Sequence, residues 1–208
     1  MRSGSSFCAS VKSGRECVIV MRRRSFLKAA GAVAPAALLE RLALGQNGGG
    51  ASGVGPVSGE AHVVGQGEDR FGEHHPLGFT TILFRVGTKE SGGSLFAIEH
   101  RGLGKGGPPE HLHLYQDEWF YVLEGKVRFR VGGKETVVGP GESVLGPRMV
   151  PHCFAGTGEK PARMLITCTP AGKMEEFFRA VAVPNGPKMD AALFARYEMQ
   201  YVGPGIVG

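Results

Sequence analysis

From residue 61 onward, short runs of apolar side chains alternate with turns that are rich in glycine and proline. These runs are three to eight residues long and lie at 61–64, 79–86, 94–101, 118–124, 127–131, 135–138, 143–145, 151–155 and 162–168. Within 127–131, three apolar residues alternate with two arginines, which is the period of a half-buried strand. Many short strands at this spacing predict an all-β fold, either a sandwich or a barrel.

Near the C-terminus the apolar residues recur every three or four positions, which predicts two short helices that cover the β domain. The two stripes consist of Met174, Phe177, Phe178 and Val181, and of Met189, Leu193 and Tyr197. The glycine- and serine-rich segment 46–60 is typical of a flexible linker. We therefore expect one β domain over residues 61–172, with a helical cover over residues 173–208.

The charge of the chain is unevenly distributed. The 208 residues carry a net charge of +5, which by itself favours an acidic partner such as nucleic acid. Residues 1–45, however, hold eight of the 24 Lys and Arg residues and two of the 19 acidic residues. Residues 46–208 keep 16 basic and 17 acidic residues, a net charge of −1. We therefore expect no nucleic-acid partner.

The basic segment 1–45 has the organisation of a signal peptide. Residues 23–28, Arg-Arg-Ser-Phe-Leu-Lys, precede a mild alanine-rich run over residues 29–39, and small residues follow it. The string resembles the twin-arginine export signal. The resemblance implies the twin-arginine export machinery as a partner and a periplasmic or secreted location; the alternative is an ordinary basic amphipathic helix. The run is shorter than a membrane helix of ~18 to 20 apolar residues, and no Cys directly follows it, so we expect no membrane anchor. Met21 offers an alternative start.

Two cysteines remain in the expected mature part. Cys153 and Cys168 flank the turn Gly-Thr-Gly-Glu-Lys-Pro at residues 156–161. In an exported protein they would form a disulfide if they faced each other across a hairpin. The alternative is that both are small buried residues.

Four polar side chains carry the candidate chemistry. His111 and His113 are two positions apart, so on a strand both rings point to the same face. Glu118 begins the next apolar run, and His152 follows the turn-rich stretch 139–151. Three imidazoles and one carboxylate suit a divalent transition metal, although a His-x-His pair alone is a weak signal.

The spacing of these residues resembles the two sequence motifs of the cupin family. The matching strings are His111-x-His113-x4-Glu118-x6-Gly125 for the first motif and Gly141-x5-Pro147-x4-His152 for the second. Three turn positions depart from the family pattern. Gly106 is offset by one residue, Met149 stands where the second motif has Gly, and Gly156 stands where Asn is usual. Because these positions lie in turns, we expect the ligand set to be intact.

Nearly all of residues 61–208 resembles single-domain cupins related to quercetin-type (flavonol) dioxygenases. The resemblance implies a double-stranded β-helix, a jelly-roll barrel, with short C-terminal helices. It also implies one divalent transition metal (Mn, Fe, Ni, Cu or Zn) on His111, His113, Glu118 and His152, with Glu118 as the catalytic base. An apolar mouth would give Glu118 the raised pKa that such a role requires.

The expected function is that of a dioxygenase acting on a small aromatic or enolic, flavonol-like substrate. The alternatives are a metal-dependent isomerase, lyase or decarboxylase, and a non-catalytic cupin that binds a small molecule. The candidates for the apolar substrate pocket, each of which also fits a plain core position, are Phe120, Val122, Phe129 and Phe154. Trp119 and Tyr121 are expected to face away from the metal, which favours a homodimer unless the helices cover them.

Overall fold

The computed structural model describes residues 61–208, which fold into two antiparallel β-sheets. The first sheet has the strand order β1-β2-β3-β10-β5-β8, and the second has the order β11-β4-β9-β6-β7. The elements are β1 (His75–Leu77), β2 (Thr80–Val86), β3 (Phe96–Leu103), β4 (Glu110–His113), β5 (Asp117–Glu124), β6 (Val127–Val131), β7 (Lys134–Val138), β8 (Ser143–Gly146), β9 (His152–Gly156), β10 (Ala162–Thr169), α1 (Met174–Val181), α2 (Ala191–Arg196) and β11 (Met199–Gly203). The all-β jelly-roll prediction is confirmed. The export segment 1–45 and the linker 46–60 lie outside the described residues.

The apolar core fills the space between the sheets. On β5, Phe120 and Val122 are fully buried, while Trp119, which precedes Phe120, is 39% exposed. Trp119 and Tyr121 stack on each other on the outer face, with ring centroids 5.6 Å apart. This strict alternation fixes the face of the strand that Glu118 occupies, because residues two apart point the same way. The homodimer through this face stays a prediction.

Both C-terminal helices form where the stripes predict them. In α1 the four stripe residues are buried. The second apolar stripe falls within residues 188–199, and helix α2 is shorter than this range. The helix begins after Asp190, because the Asp190 side chain caps it by accepting a 3.0 Å hydrogen bond from the Leu193 N–H. Among residues 61–208, no helix combines the length and apolarity needed to cross a lipid bilayer.

Two strand predictions need correction. Residues 61–64 form no strand; Val63 is 90% exposed, and Arg85 binds the Val64 carbonyl instead. The tail, conversely, ends in a strand that the helical pattern did not indicate. Strand β11 pairs with β4, opposite His111 and His113, while β4 meets β9 at the single pair His111↔His152. The final strand therefore supports the strand that carries two candidate ligands.

The disulfide hypothesis is wrong. Cys153 lies on β9 in the second sheet and Cys168 on β10 in the first, and both are free and buried. The turn between them crosses from one sheet to the other, so the two strands do not form a hairpin. Cys153 packs with Ala155 and Ile206, whereas Cys168 belongs to the main core.

Candidate metal centre

Four buried side chains converge between the two sheets. His111 and His113 come from β4, His152 from β9 and Glu118 from β5, and each is at most 6% exposed. One ligand atom from each lies within 4.8 Å of the others. The structure thus brings together the four residues of the predicted ligand set, and the cluster could bind a metal.

Backbone carbonyls orient two of the rings. His111 Nδ1 lies 2.8 Å from the Pro109 carbonyl oxygen, and His152 Nδ1 lies 3.0 Å from the Val150 carbonyl oxygen. Because a carbonyl only accepts, each Nδ1 carries a hydrogen, so Nε2 is the nitrogen of each ring that would bind a metal. This is the arrangement that metal-binding histidines usually have.

Glu118 is held by the histidines. Its Oε2 lies 2.9 Å from His152 Nε2 and 3.3 Å from His113 Nε2. Burial by itself raises the pKa of Glu118, but the two imidazoles outweigh it and hold the pKa well below the ordinary value. The expectation of a raised pKa is therefore wrong, because the imidazoles of His113 and His152 lie beside the carboxylate.

The remaining ligand is neutral. Burial, together with the nearby rings of His152 and His113, lowers the pKa of His111 to about 3. Glu118 and His111 thus have the protonation states that a divalent metal requires of its ligands. Burial acts to lower the pKa of His152, but the hydrogen bond and the charge of Glu118 outweigh it, so that this pKa is raised.

The unpaired nitrogens of His113 test whether the residues fit a metal. The ring is fully buried. Within the described part of the chain its Nδ1 has no hydrogen-bond partner, and its Nε2 has only the 3.3 Å contact with Glu118 Oε2. A buried polar atom without a partner costs about 1–3 kcal/mol. A metal at Nε2 would satisfy one of these atoms, so the cluster fits a divalent transition metal held by His111, His113, Glu118 and His152.

A cavity of about 30 Å³ adjoins the cluster. Its wall is largely apolar and comes from the barrel and from both helices: Leu77, Phe79, His100, Pro108, His111, Glu118, Phe154, Ile166, Met174, Phe177, Phe178, Met189 and Phe194.

Of the four predicted pocket residues, the structure brings only Phe154 to this wall. Phe120, Val122 and Phe129 lie in the core and do not line the cavity. Phe120 instead packs edge-on against His152, with ring centroids 5.9 Å apart.

The residues that sequence reasoning missed come from the helices and from β3. Phe178 and Phe194 are aromatic residues of helices that were assigned to the cover, not to the site. His100 follows Phe96 and Ile98 at alternate positions of β3, so its inward direction was readable from the sequence, but a lone histidine gave no signal of function.

Of the departures from the family motif, the structure explains Gly156 and leaves Met149 unexplained. Met149 has a φ of 63°, in the left-handed region where a glycine is usual, and its N–H donates to the His113 carbonyl at 2.8 Å. At Gly156 a Cβ would lie 2.5 Å from the carbonyl oxygens of Leu103 and Gly104. An asparagine has no room there.

Comparisons with known proteins agree on the domain type. Residues 101–168 match the family model described as Cupin domain. The chain is 30% identical over 67 residues to the tetracenomycin polyketide synthase protein TcmJ of Streptomyces glaucescens. The matched stretch covers 32% of this chain and 45% of that protein. It is 30% identical over 61 residues to the polyketide synthase CurC of Streptomyces cyaneus, 29% of this chain and 40% of that protein. The chain thus spans less than half the length of either curated relative.

Part of the chain is also similar to solved structures. The polyketide cyclase RemF from Streptomyces resistomycificus is 27% identical, with 46% of this chain and 69% of that chain covered and a TM-score of 0.40. KdgF from Halomonas sp. is 17% identical, with 44% and 79% covered and a TM-score of 0.40. The stretch that matches the Cupin domain model, residues 101–168, includes the four candidate ligands.

Proposed function

We propose that the protein is a metal-dependent dioxygenase that acts on a small aromatic or enolic compound. The observation that carries the proposal is the buried cluster of three histidines and Glu118 at one end of a cavity with apolar and aromatic walls. A divalent transition metal at such a site supplies Lewis-acid activation of a substrate oxygen and a means of reaction with O2.

The residues around the cavity define what the protein itself contributes. Phe154, Phe177 and Phe194 offer aromatic surfaces for a planar substrate and exclude water from the cluster. Glu118 is the only carboxylate of the cavity wall, so it is the group placed to accept the proton of an enol or phenol hydroxyl.

The curated relatives support the substrate class. Both are named as polyketide synthase proteins, and they match stretches of 67 and 61 residues of this chain. Aromatic polyketides carry phenolic and enolic oxygens on planar rings. These are the groups that a metal site beside an aromatic wall would bind.

Substrate binding has to enlarge the cavity. Its volume of about 30 Å³ is far below the roughly 300–1,000 Å³ of ordinary ligand pockets. Helix α1 is tied to the barrel, because Glu175 accepts the Thr88 N–H at 2.7 Å and Arg179 pairs with Glu73. The cap of α2 is local, from Asp190 to Leu193. We therefore propose that the cavity opens for the substrate by a movement of α2, which carries Phe194.

Metal analysis and a substrate screen test the proposal. The purified protein is analysed for metal and then incubated with quercetin and with polyphenolic naphthalenes, in air and under argon, while O2 uptake is followed. A dioxygenase consumes one O2 per substrate and forms product only in air. The His113→Ala variant is the control, since it lacks one ligand. Absence of turnover under both atmospheres by the metal-loaded protein would contradict the proposal.

A reaction without O2 is the second candidate. The names of the curated relatives denote polyketide assembly and no oxidation, which favours an isomerase, lyase or decarboxylase that uses the same metal as a Lewis acid. Equal product formation in air and under argon would select it over the dioxygenase.

Location forms a separate proposal. We propose that the twin-arginine string at residues 23–28 directs export to the periplasm or beyond. Fractionation of cells that express the full chain tests this, with Arg23→Lys and Arg24→Lys combined as the variant. Export of the variant at the wild-type rate would contradict the twin-arginine route.

A further inference from the structure

His100 is a buried polar residue that the metal cluster does not use. It lies on β3 between Ile82 of β2 and Met164 of β10, and its side chain is 1% exposed. Phe154 meets its ring edge-on at a centroid distance of 5.6 Å, and Phe79 stacks at 6.4 Å. Neither ring nitrogen has a hydrogen-bond partner in the described part of the protein.

A buried imidazole normally finds a partner, because an unsatisfied polar atom is costly. Burial lowers the pKa of His100 to about 4, even though the charge of Glu118 acts in the opposite direction. At neutral pH the ring is therefore uncharged, and it offers one N–H donor and one nitrogen acceptor. These are the groups that recognise a hydroxyl or a carbonyl.

This unused hydrogen-bonding capacity lies on the wall of the same cavity that His111 and Glu118 of the candidate metal centre line. Of its lining side chains, only His100, His111 and Glu118 are polar, and the last two belong to the metal cluster. His100 is thus the one polar side chain of the wall that is free of the metal cluster. The remaining lining residues can contact only an apolar body.

We propose that His100 is a substrate-binding residue that hydrogen-bonds a second oxygen of the substrate. The inference rests on the proposed function and narrows its substrate class. The substrate carries two oxygens on a planar aromatic body, one for the metal and one for His100. A compound with the first oxygen alone binds more weakly, because it leaves the His100 nitrogens unpaired.

Matched naphthols test this without turnover. The full-length protein is loaded with zinc, which has no redox chemistry, and is titrated calorimetrically with 2-naphthol and with 2,6- and 2,7-dihydroxynaphthalene. For the wild type we expect at least one diol to bind about tenfold more tightly than 2-naphthol, the effect of one good hydrogen bond. In His100→Leu we expect that difference to fall below about twofold, with the affinity for 2-naphthol unchanged.

Two further variants provide controls. His75→Leu removes another buried imidazole, which stacks on Phe84 and does not line the cavity, and it should keep the wild-type preference. His100→Gln retains a hydrogen-bond donor and an acceptor, so it should keep part of the preference for the diol. This variant also tests the role of His100 if the leucine variant does not fold. In the wild type, binding of the diol should shift the 15N signals of the His100 ring, and binding of 2-naphthol should shift them less.

The outcomes separate the two proposals. The role of His100 is overturned if the diol preference persists in His100→Leu, or if the wild type shows no such preference. In either case the proposed function still stands if binding of 2-naphthol requires the metal. If none of the three compounds binds the zinc-loaded wild type, the aromatic substrate class is refuted, and the role of His100 falls with it.

Discussion

Met149 stands where the second cupin motif has glycine, and replacing it tests how much this departure costs in free energy of unfolding. Its φ of 63° costs a residue with a Cβ about 1–2 kcal/mol. A glycine removes this strain but gives the unfolded chain more conformational freedom, which lowers the free energy of unfolding by about 0.4–1 kcal/mol. Because the Met149 side chain is 58% exposed, its removal sacrifices little apolar burial. We expect Met149→Gly to raise the free energy of unfolding by about 0.5–1 kcal/mol.

Urea denaturation of the metal-free protein, followed by circular dichroism, measures this difference. Gly133→Ala is the matched control: Gly133 has a φ of 77° with no atom near the site of a new Cβ, so the change introduces strain alone. It should lower the free energy of unfolding by about 1 kcal/mol. The metal content of Met149→Gly should stay that of the wild type, because the N–H that binds the His113 carbonyl remains. A destabilised Met149→Gly beside a control that behaves as expected would refute the strain argument.

Three further predictions concern the ligands and one close backbone contact. His113→Ala should lose the metal, seen by elemental analysis, and with it the stabilisation of about 2.7 kcal/mol that a ligand at a hundred times its Kd provides; full metal occupancy would contradict the assignment. Glu118→Gln should retain some metal but lose turnover, because an amide is a poorer ligand and accepts no proton; wild-type turnover would remove its role as base. Gly156→Asn should destabilise the fold by about 1–3 kcal/mol through overpacking, measured by thermal unfolding beside Gly139→Asn, where a Cβ meets no atom closer than 3.8 Å.

The fold and the pairing of His111 with His113 were predictable because their signals are local. Alternation within 127–131 and 118–124 identified strands, and the spacing of His111 and His113 placed both rings on one face. The membership of Glu118 and His152 followed from the resemblance to the cupin motifs, since His152 lies 41 residues after His111 and no local pattern connects the two. That these residues hold a metal stays a prediction.

The rest depends on contacts between distant segments. Strand β11 has exposed residues at its centre and gains its strand form by pairing with β4 more than 80 residues earlier. The cavity wall draws on Phe79, Phe154 and Phe194, which no local pattern connects. For the same reason, the pKa of Glu118 could not be predicted from its apolar neighbours on β5, because the imidazoles that lower it come from other strands.

The pairing of β11 with β4 sets an order of events during protein synthesis. Gly203, the last residue of β11, follows His152 by 51 residues. At a translation rate of roughly 5–20 residues per second, these residues take about 3–10 s to be made. During that interval all four candidate ligands already exist, but the strand that carries His111 and His113 lacks one of its two neighbours. The nascent chain therefore presents the candidate ligands in a loosely held state before the cluster is enclosed, and a metal that is abundant where the chain is made would have the first access to them.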